Sequence, residues 1–153
     1  MKALIYRKYG SPDVLELKEA EKPTTKDNEV LVKIHATAIN DWDWSMVRGK
    51  PYVYRLFLGV LRPKRQIPGM ELSGTIESLG KNVSSFDVGD AVYGDISAYG
   101  FGSFSEYICI HEKALDLKPD KMTFEEAASI PHASMLACQG LIDFGKIQKD
   151  SRY

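Results

Sequence analysis

Residues 67–94 read IPGMELSGTIESLGKNVSSFDVGDAVYG, and this stretch decides the fold. Apolar and small residues alternate from Leu72 to Ser78, which is typical of a β-strand with one buried face. A polar hairpin follows, and Ala91–Tyr93 forms a short returning strand. Gly69 and Gly74 indicate sharp bends or close backbone approach, because glycine alone has no Cβ to obstruct a neighbour.

Other segments upstream and downstream carry the same alternation. Glu29–Ile39 gives the clearest pattern, with Val30, Val32, Ile34, Ala36 and Ala38 on one face and Leu31, Lys33, His35 and Thr37 on the other. It predicts a half-buried antiparallel strand. Further strands are predicted at Ala3–Tyr6, Val14–Leu17, Phe104–Ile110 and Ala114–Leu117.

Helical signals are short and concentrate in the last third of the chain. Asn40–Gly49 begins with capping residues and ends at a glycine, which predicts a short helix. The long segment Lys50–Gln66 is predicted to be a loop. Thr123 and Glu126 form a capping-box signature, Pro131 breaks that helix, and Ala133–Phe144 predicts a second helix ended by a glycine. Together these elements predict a mainly β fold, a strongly bent antiparallel β-barrel with a helical C-terminal appendix.

The bulk properties exclude several classes of protein. The formal net charge is −1, so no basic excess points to nucleic acid. The longest apolar run, Leu56–Leu61, is too short to cross a membrane, and no signal-peptide pattern opens the chain. Cys109 and Cys138 have no paired spacing, which favours free thiols and a cytoplasmic location.

The order of the motifs resembles a known family. The matching segments are EVLVKIHATAI at Glu29–Ile39, the helix at Asn40–Gly49, residues 67–94, GSFSEY at Gly102–Tyr107 and KPDKMTFEEAASIP at Lys118–Pro131. The chain resembles the N-terminal GroES-like (alcohol dehydrogenase-like) domain of the medium-chain dehydrogenase/reductases, nearest the quinone oxidoreductase branch. This resemblance implies a GroES-like catalytic, substrate-side domain at residues 1–130. Residues 131–153 would be a helix and the start of a crossover to a Rossmann domain that the sequence lacks.

The resemblance also argues against zinc. The first and second zinc ligands of the zinc-dependent branch would fall at Asn40 and Met70, and the hydroxyl of its proton relay at Trp42. A neutral amide and a thioether are poor ligands for Zn²⁺. The segment Asp95–Ser103, where four structural cysteines would lie, contains none. We therefore expect no metal site.

A zinc-independent member of the family implies NADPH as the cofactor and hydride transfer to a quinone, enone or similar carbonyl compound. Asn40 matches the family asparagine that faces the nicotinamide, and Leu136 occupies the position of a threonine near the same ring. Asn40 and Tyr54 are candidate catalytic residues. Trp44, Tyr52 and Tyr54 are candidates for the wall of the substrate pocket, because aromatic rings cover planar substrates.

Each assignment has a simpler structural alternative. Asp43 and Glu71 fall at positions of outer-shell carboxylates of the zinc branch, and with Arg48 they would form a buried ion-pair network. Asn40 would cap the helix, contact the cofactor, or do both. Met70 is expected in the core. The three histidines share no metal-binding spacing and receive no chemical role: His35, His111 and His132.

The sequence therefore predicts the substrate-side part of an NADPH-dependent, zinc-independent oxidoreductase. The isolated chain is expected to be inactive, because no Gly-rich pyrophosphate turn follows the last helix. Its expected partners are a small carbonyl substrate, the missing Rossmann domain, and a second copy bound through the apolar helix Ala133–Phe144. The alternatives are a stand-alone GroES-like binding module and a fragment of a zinc-type alcohol dehydrogenase.

Overall fold

The computed structural model describes residues 1–147, which form two antiparallel sheets and a set of short helices. The strands are β1 (Lys2–Ile5), β2 (Glu16–Glu19), β3 (Glu29–Ala36), β4 (Glu71–Leu79), β5 (Ala91–Asp95), β6 (Tyr107–His111) and β7 (Asp116–Leu117). The α-helices are α1 (Asp41–Arg48), α2 (Arg55–Leu58), α3 (Phe124–Ala128) and α4 (Pro131–Cys138), and a π-helix at Gln139–Phe144 continues α4. Short 3₁₀ turns lie at Pro12–Val14, Tyr52–Tyr54 and Glu112–Ala114.

Five strands pair in the order β6-β3-β4-β5-β7, and β1 pairs with β2. Every pair is antiparallel. The mainly β, antiparallel prediction is confirmed, but among residues 1–147 the edge strands β6 and β7 do not pair, so the sheet is open and no barrel closes. The two sheets are joined by a bridge between Ala3 and Ser105.

The core lies on one face of the five-stranded sheet. Val30 and Val32 of β3 are fully buried there, as the alternation predicts, whereas Lys33 and His35 are exposed. Leu31 is also buried, although the alternation of the strand places it on the opposite face. The pairing of β3 with β4 shifts register after Leu31, which shows that this strand is not regular at that point. The core residues are Val30, Val32, Leu72, Ile76, Val92, Ile96, Ile108, Ile110, Ala114 and Leu115.

Two glycines in residues 67–94 allow the backbone to pack closely. Gly69 has φ +104°, and a Cβ there would lie 2.2 Å from the Ser103 Oγ atom. A Cβ on Gly74 would lie 2.2 Å from the Lys33 carbonyl oxygen of the paired strand. The predicted close approach is confirmed at both positions.

The element boundaries differ from the sequence prediction where local contacts intervene. The predicted loop Lys50–Gln66 contains the single helical turn α2. Pro131 begins α4 instead of only ending the preceding helix, because its fixed φ suits the first helical position. Strand β6 starts at Tyr107, since the Phe104 carbonyl oxygen accepts the Leu4 N–H of β1 at 2.9 Å.

Candidate functional site

Four chain segments that are distant in sequence meet around the Glu71 carboxylate. They are the start of α1, the start of β4, the end of β5 and the first turn of α4. The residues that bring polar groups to this cluster are Asn40, Asp43, Glu71, Asp95 and His132.

Glu71 lies at the centre of the cluster and is only 1% exposed. Its Oε2 atom accepts a hydrogen bond from the Asn40 side-chain amide, Nδ2. Its Oε1 atom accepts the backbone N–H of His132 at 2.5 Å. The Glu71 carboxylate therefore connects the start of α1 to the start of α4, and it fixes which end of the Asn40 amide faces it.

Asp43 supports the same corner from within α1. Its Oδ2 atom accepts the Asn40 backbone N–H at 2.9 Å, and its Oδ1 atom accepts the Gly69 N–H at 3.1 Å. Burial raises the pKa of the Asp43 carboxyl to about 6, although the two backbone hydrogen bonds favour its ionised form. The nearby Glu71 charge contributes to the increase.

Asp95 and His132 form a pair next to Glu71. Asp95 lies directly opposite Glu71 in the pairing of β4 with β5, so both carboxylates project from the same face of the sheet. The His132 Nδ1 atom is 2.9 Å from Asp95 Oδ2, and the two side chains are 17% and 13% exposed. The other Asp95 oxygen accepts the Ser97 N–H at 2.8 Å. The imidazole is thus held by a carboxylate that is itself held by the backbone.

Arg48 lies outside this network, contrary to the predicted pairing with Asp43 or Glu71. Its guanidinium is exposed and lies 4.9 Å from the centre of the Trp44 ring. Backbone N–H groups and the Asn40 amide satisfy the two buried carboxylates instead. Because Arg48 is at the end of α1, it is two turns away from the cluster at the start of the helix.

The predicted aromatic residues have separate surroundings. Tyr54 stacks on Trp42, with ring centroids 5.0 Å apart and an interplanar angle of 15°. Trp44 is 42% exposed, and the Arg48 guanidinium lies over one face of its ring. Tyr52 is 66% exposed, with the Arg55 guanidinium 5.0 Å from its ring centre.

Leu136 is 56% exposed on α4, one turn beyond His132. Its role at the cofactor therefore remains a prediction, as do the roles of Asn40 and the aromatic residues.

Asp95 and His132 belong to the cluster although the sequence assigned them no role there. The two residues are 37 positions apart and share no motif, so only the pairing of β4 with β5 and the start of α4 bring them together. The available sequence signal was weak: a carboxylate at the end of a predicted strand and a histidine directly after Pro131.

The cluster offers hydrogen-bonding and acid–base groups. Within residues 1–147, no group of three or more His, Cys, Asp or Glu side chains is arranged to hold a metal ion. Both oxygens of Glu71 and both oxygens of Asp43 already accept hydrogen bonds. The Asn40 amide and the His132 imidazole are therefore the groups of the cluster with capacity for a ligand.

Comparison with known proteins identifies the family. Residues 26–120 match the alcohol dehydrogenase GroES-like domain. The chain belongs to this family.

The relatives are oxidoreductases. The chain is 38% identical over 148 residues to the 2-methylene-furan-3-one reductase of Solanum lycopersicum, covering 92% of this chain and 37% of that protein. It is 35% identical to the chloroplastic NADPH-dependent alkenal/one oxidoreductase of Arabidopsis thaliana, covering 93% and 37%. The quinone oxidoreductase of Coxiella burnetii superposes with a TM-score of 0.84 at 31% identity, covering 98% of this chain and 47% of that structure. The chain therefore spans less than half the length of these relatives, which are quinone and enone oxidoreductases of the medium-chain dehydrogenase/reductase superfamily.

The helices of residues 1–147 are all too short or too polar to span a lipid bilayer.

Proposed function

We propose that this chain forms the substrate side of an NADPH-dependent, zinc-independent reductase of quinones, enones or similar carbonyl compounds. The observation that carries the proposal is the half-buried Asn40 amide, which the buried Glu71 carboxylate orients at the junction of α1, β4 and α4. The names of the relatives support the same reaction class, since they include an alkenal/one oxidoreductase and a quinone oxidoreductase.

The residues around Asn40 fit the nicotinamide end of such a cofactor. A nicotinamide presents a flat ring with one carboxamide, so it needs apolar contact and a polar partner. Asn40 supplies an amide beside the first turn of α4. Leu136, which is exposed one turn further along this helix, supplies apolar surface. When bound, NADPH supplies the hydride. Asn40 orients the reacting groups. The rings of Trp44, Tyr52 and Tyr54 shield the substrate from water.

The donor set at the site supports chemistry without zinc. Asn40 is a neutral amide whose Nδ2 already donates to Glu71, and Met70 is 1% exposed in the core. Neither is a ligand that zinc prefers. We expect activity of the complete enzyme to survive treatment with a chelator, and loss of activity that Zn²⁺ restores would contradict the proposal.

The isolated chain is expected to have no appreciable affinity for NADPH. Affinity for a dinucleotide depends strongly on backbone N–H groups around the pyrophosphate, and the sequence has no G-x-G-x-x-G turn. A fluorescence titration of the 153-residue chain with NADPH should give no saturable signal at micromolar concentration. Tight binding would show that this chain holds the cofactor alone.

The activity itself is tested in a fusion. The chain replaces the matching part of the Arabidopsis NADPH-dependent alkenal/one oxidoreductase, and the remainder of that protein is retained. We expect oxidation of NADPH on addition of 2-hexenal or a benzoquinone, followed at 340 nm. A soluble, folded fusion that oxidises NADPH with neither compound would refute the proposed function.

We also infer a cytoplasmic location and a second partner surface. Cys109 and Cys138 are free thiols, which suits a reducing compartment. Met135, Leu136, Ile142 and Phe144 expose apolar surface on α4 and the π-helix, and this face suits either a Rossmann domain or a second copy of the chain. Cell fractionation tests the location.

A further inference from the structure

We propose that His132, oriented by Asp95, donates the proton in the reduction of an α,β-unsaturated carbonyl compound. This inference rests on the proposed function and adds a catalytic residue and a substrate class to it.

The imidazole is held in the manner of a carboxylate–histidine pair. Its Nδ1 atom lies 2.9 Å from Asp95 Oδ2, and the Ser97 N–H fixes the other carboxylate oxygen at 2.8 Å. A hydrogen bond at one ring nitrogen determines which nitrogen carries the proton in neutral imidazole. With a carboxylate at Nδ1, the neutral ring keeps its proton on Nδ1 and leaves Nε2 to exchange a proton with a ligand.

The Nε2 atom is available for that exchange. No atom of residues 1–147 forms a hydrogen bond with Nε2. Within these residues no buried side-chain nitrogen or oxygen lacks a hydrogen-bond partner, so Nε2 is not fully buried. The side chain retains 17% exposure. Nε2 therefore opens onto solvent or a ligand, whereas Nδ1 is fixed by the protein.

His132 lies directly beside Asn40 in the cluster. The His132 N–H and the Asn40 Nδ2 atom bond the two oxygens of the same Glu71 carboxylate. The charged groups that face His132 are Asp95 from β5, Glu71 from β4 and Asp43 from α1. The Asn40 amide and the backbone of His132 are therefore neighbours on one carboxylate, and the His132 ring extends from that point to Asp95.

Within the cluster, His132 is the group suited to supply a proton. The Asn40 amide is not an acid in water. Glu71 and Asp43 are each bonded through both oxygens and are 1% and 2% exposed. A histidine with a free Nε2 is the usual general acid of such sites.

The reaction balances with His132 in this role. A bound nicotinamide would supply the hydride that the β-carbon of the enone receives, and it would lose two electrons in doing so. The carbon–carbon double bond shifts to give an enolate. The N–H bond at Nε2 of imidazolium breaks, and the proton forms a C–H bond at the α-carbon. The product is the saturated carbonyl compound, and neutral His132 then takes a proton from water.

The first test uses the 153-residue chain and does not depend on activity. ¹⁵N NMR of selectively labelled histidine should show the neutral His132 ring protonated at Nδ1. Asp95→Asn should shift the tautomer population toward Nε2–H. A neutral ring that carries its proton at Nε2 in the wild-type chain would overturn the proposal.

The second test uses the fusion described above, with 2-hexenal as substrate. His132→Gln should lower kcat at least about 100-fold, the lower range for general acid catalysis, with KM changed less than about threefold. Imidazole added to His132→Ala should restore activity, which would not follow from a purely structural role.

The matched control is His111→Gln. His111 ends β6 and pairs with Glu29, at the end of β3 that is far from Asn40. This substitution should leave kcat unchanged. If the wild-type fusion is inactive, the proposed function fails. If the wild-type fusion is active and His132→Gln retains its kcat, only the role of His132 is refuted.

Discussion

Glu71 holds two hydrogen-bond donors on one buried carboxylate, so its charge and shape both matter. In Glu71→Gln an amide NH₂ group, which is a donor, replaces one acceptor oxygen and faces either the Asn40 amide or the His132 N–H. One buried donor is then unpaired, and the free energy of unfolding should fall by about 1–3 kcal/mol. Urea denaturation measures this change.

Glu77→Gln is the matched control on the same strand. Glu77 is exposed and pairs with Lys22 on the surface, where such pairs contribute about 0–1 kcal/mol. Equal effects of the two substitutions would show that the Glu71 carboxylate does not organise the site.

Asp43 should make stability depend on pH between about 4 and 6. Its pKa is about 6 in the folded chain against an ordinary 3.8, so the folded state binds this proton more tightly. The stabilisation is complete below pH 4 and is lost as pH rises through 6. The loss is on the order of 3 kcal/mol, from 1.36 kcal/mol for each pKa unit.

The measurement compares urea denaturation of the wild type and Asp43→Asn across pH 4–7. The variant should be less stable at pH 4, because its amide leaves a backbone N–H without an acceptor, and its curve should lack the Asp43 contribution. Asp41→Asn, on the exposed side of α1, should follow the wild type. A constant difference between the wild type and Asp43→Asn over the whole range would contradict the raised pKa.

At this scale, residue types and neighbours in sequence predicted part of the site. Asp43 and Glu71 were expected to need partners because buried carboxylates do. The sequence could not identify those partners, which are an amide from α1 and backbone N–H groups. Arg48 was the nearest cation in sequence, but its position at the other end of α1 takes it away from the carboxylates.

Gly69, in the loop before β4, packs against Ser103, and this close contact requires a residue without a Cβ. Gly69→Ala should destabilise the chain by about 2–4 kcal/mol, from positive φ together with a Cβ 2.2 Å from Ser103 Oγ and 2.7 Å from the Phe104 nitrogen. Gly89→Ala is the control, because Gly89 has φ +99° and nothing within 4 Å of its Cβ position. Thermal or urea unfolding should show a larger loss of stability for Gly69→Ala than for Gly89→Ala. Equal losses would exclude crowding of the added Cβ at Gly69 as the cause.

Strands and caps were the elements that the sequence predicted best. The alternation of apolar and polar residues predicted β3 and β4. The capping box at Thr123 begins α3, where the Thr123 and Glu126 side chains each accept the other residue's backbone N–H. Closure of the barrel could not be predicted, since it depends on whether β6 and β7 meet. The start of β6 at Tyr107, later than the predicted Phe104, also depends on a tertiary contact, in which the Lys2 carbonyl oxygen accepts the Glu106 N–H.

At the scale of the whole molecule, the C-terminal helices present an uncovered apolar face. Ile142 is 58% exposed and Phe144 is 84% exposed. We expect the isolated chain to dimerise through this face, and the double variant Ile142→Glu/Phe144→Glu to raise the dissociation constant at least about tenfold, because a charge at an apolar contact must be desolvated. Sedimentation equilibrium measures it.

Gln139→Glu adds a charge at a polar, exposed position of the same segment and is the control. It should leave the association unchanged. A wild-type chain that stays monomeric at 100 μM would refute the dimer.

The attachment of α4 has a mechanical consequence. The helix is fixed at Pro131, which is buried, and at His132, while Ala133–Phe144 is exposed along its length. At about 1.5 Å per residue the exposed part is about 18 Å long, so a rotation of about 10° at the fixed end moves Phe144 by about 3 Å. Glu71 and Asp95 therefore hold the fixed end of α4, and a sub-ångström change at their hydrogen bonds produces a larger displacement at the exposed apolar end of the segment.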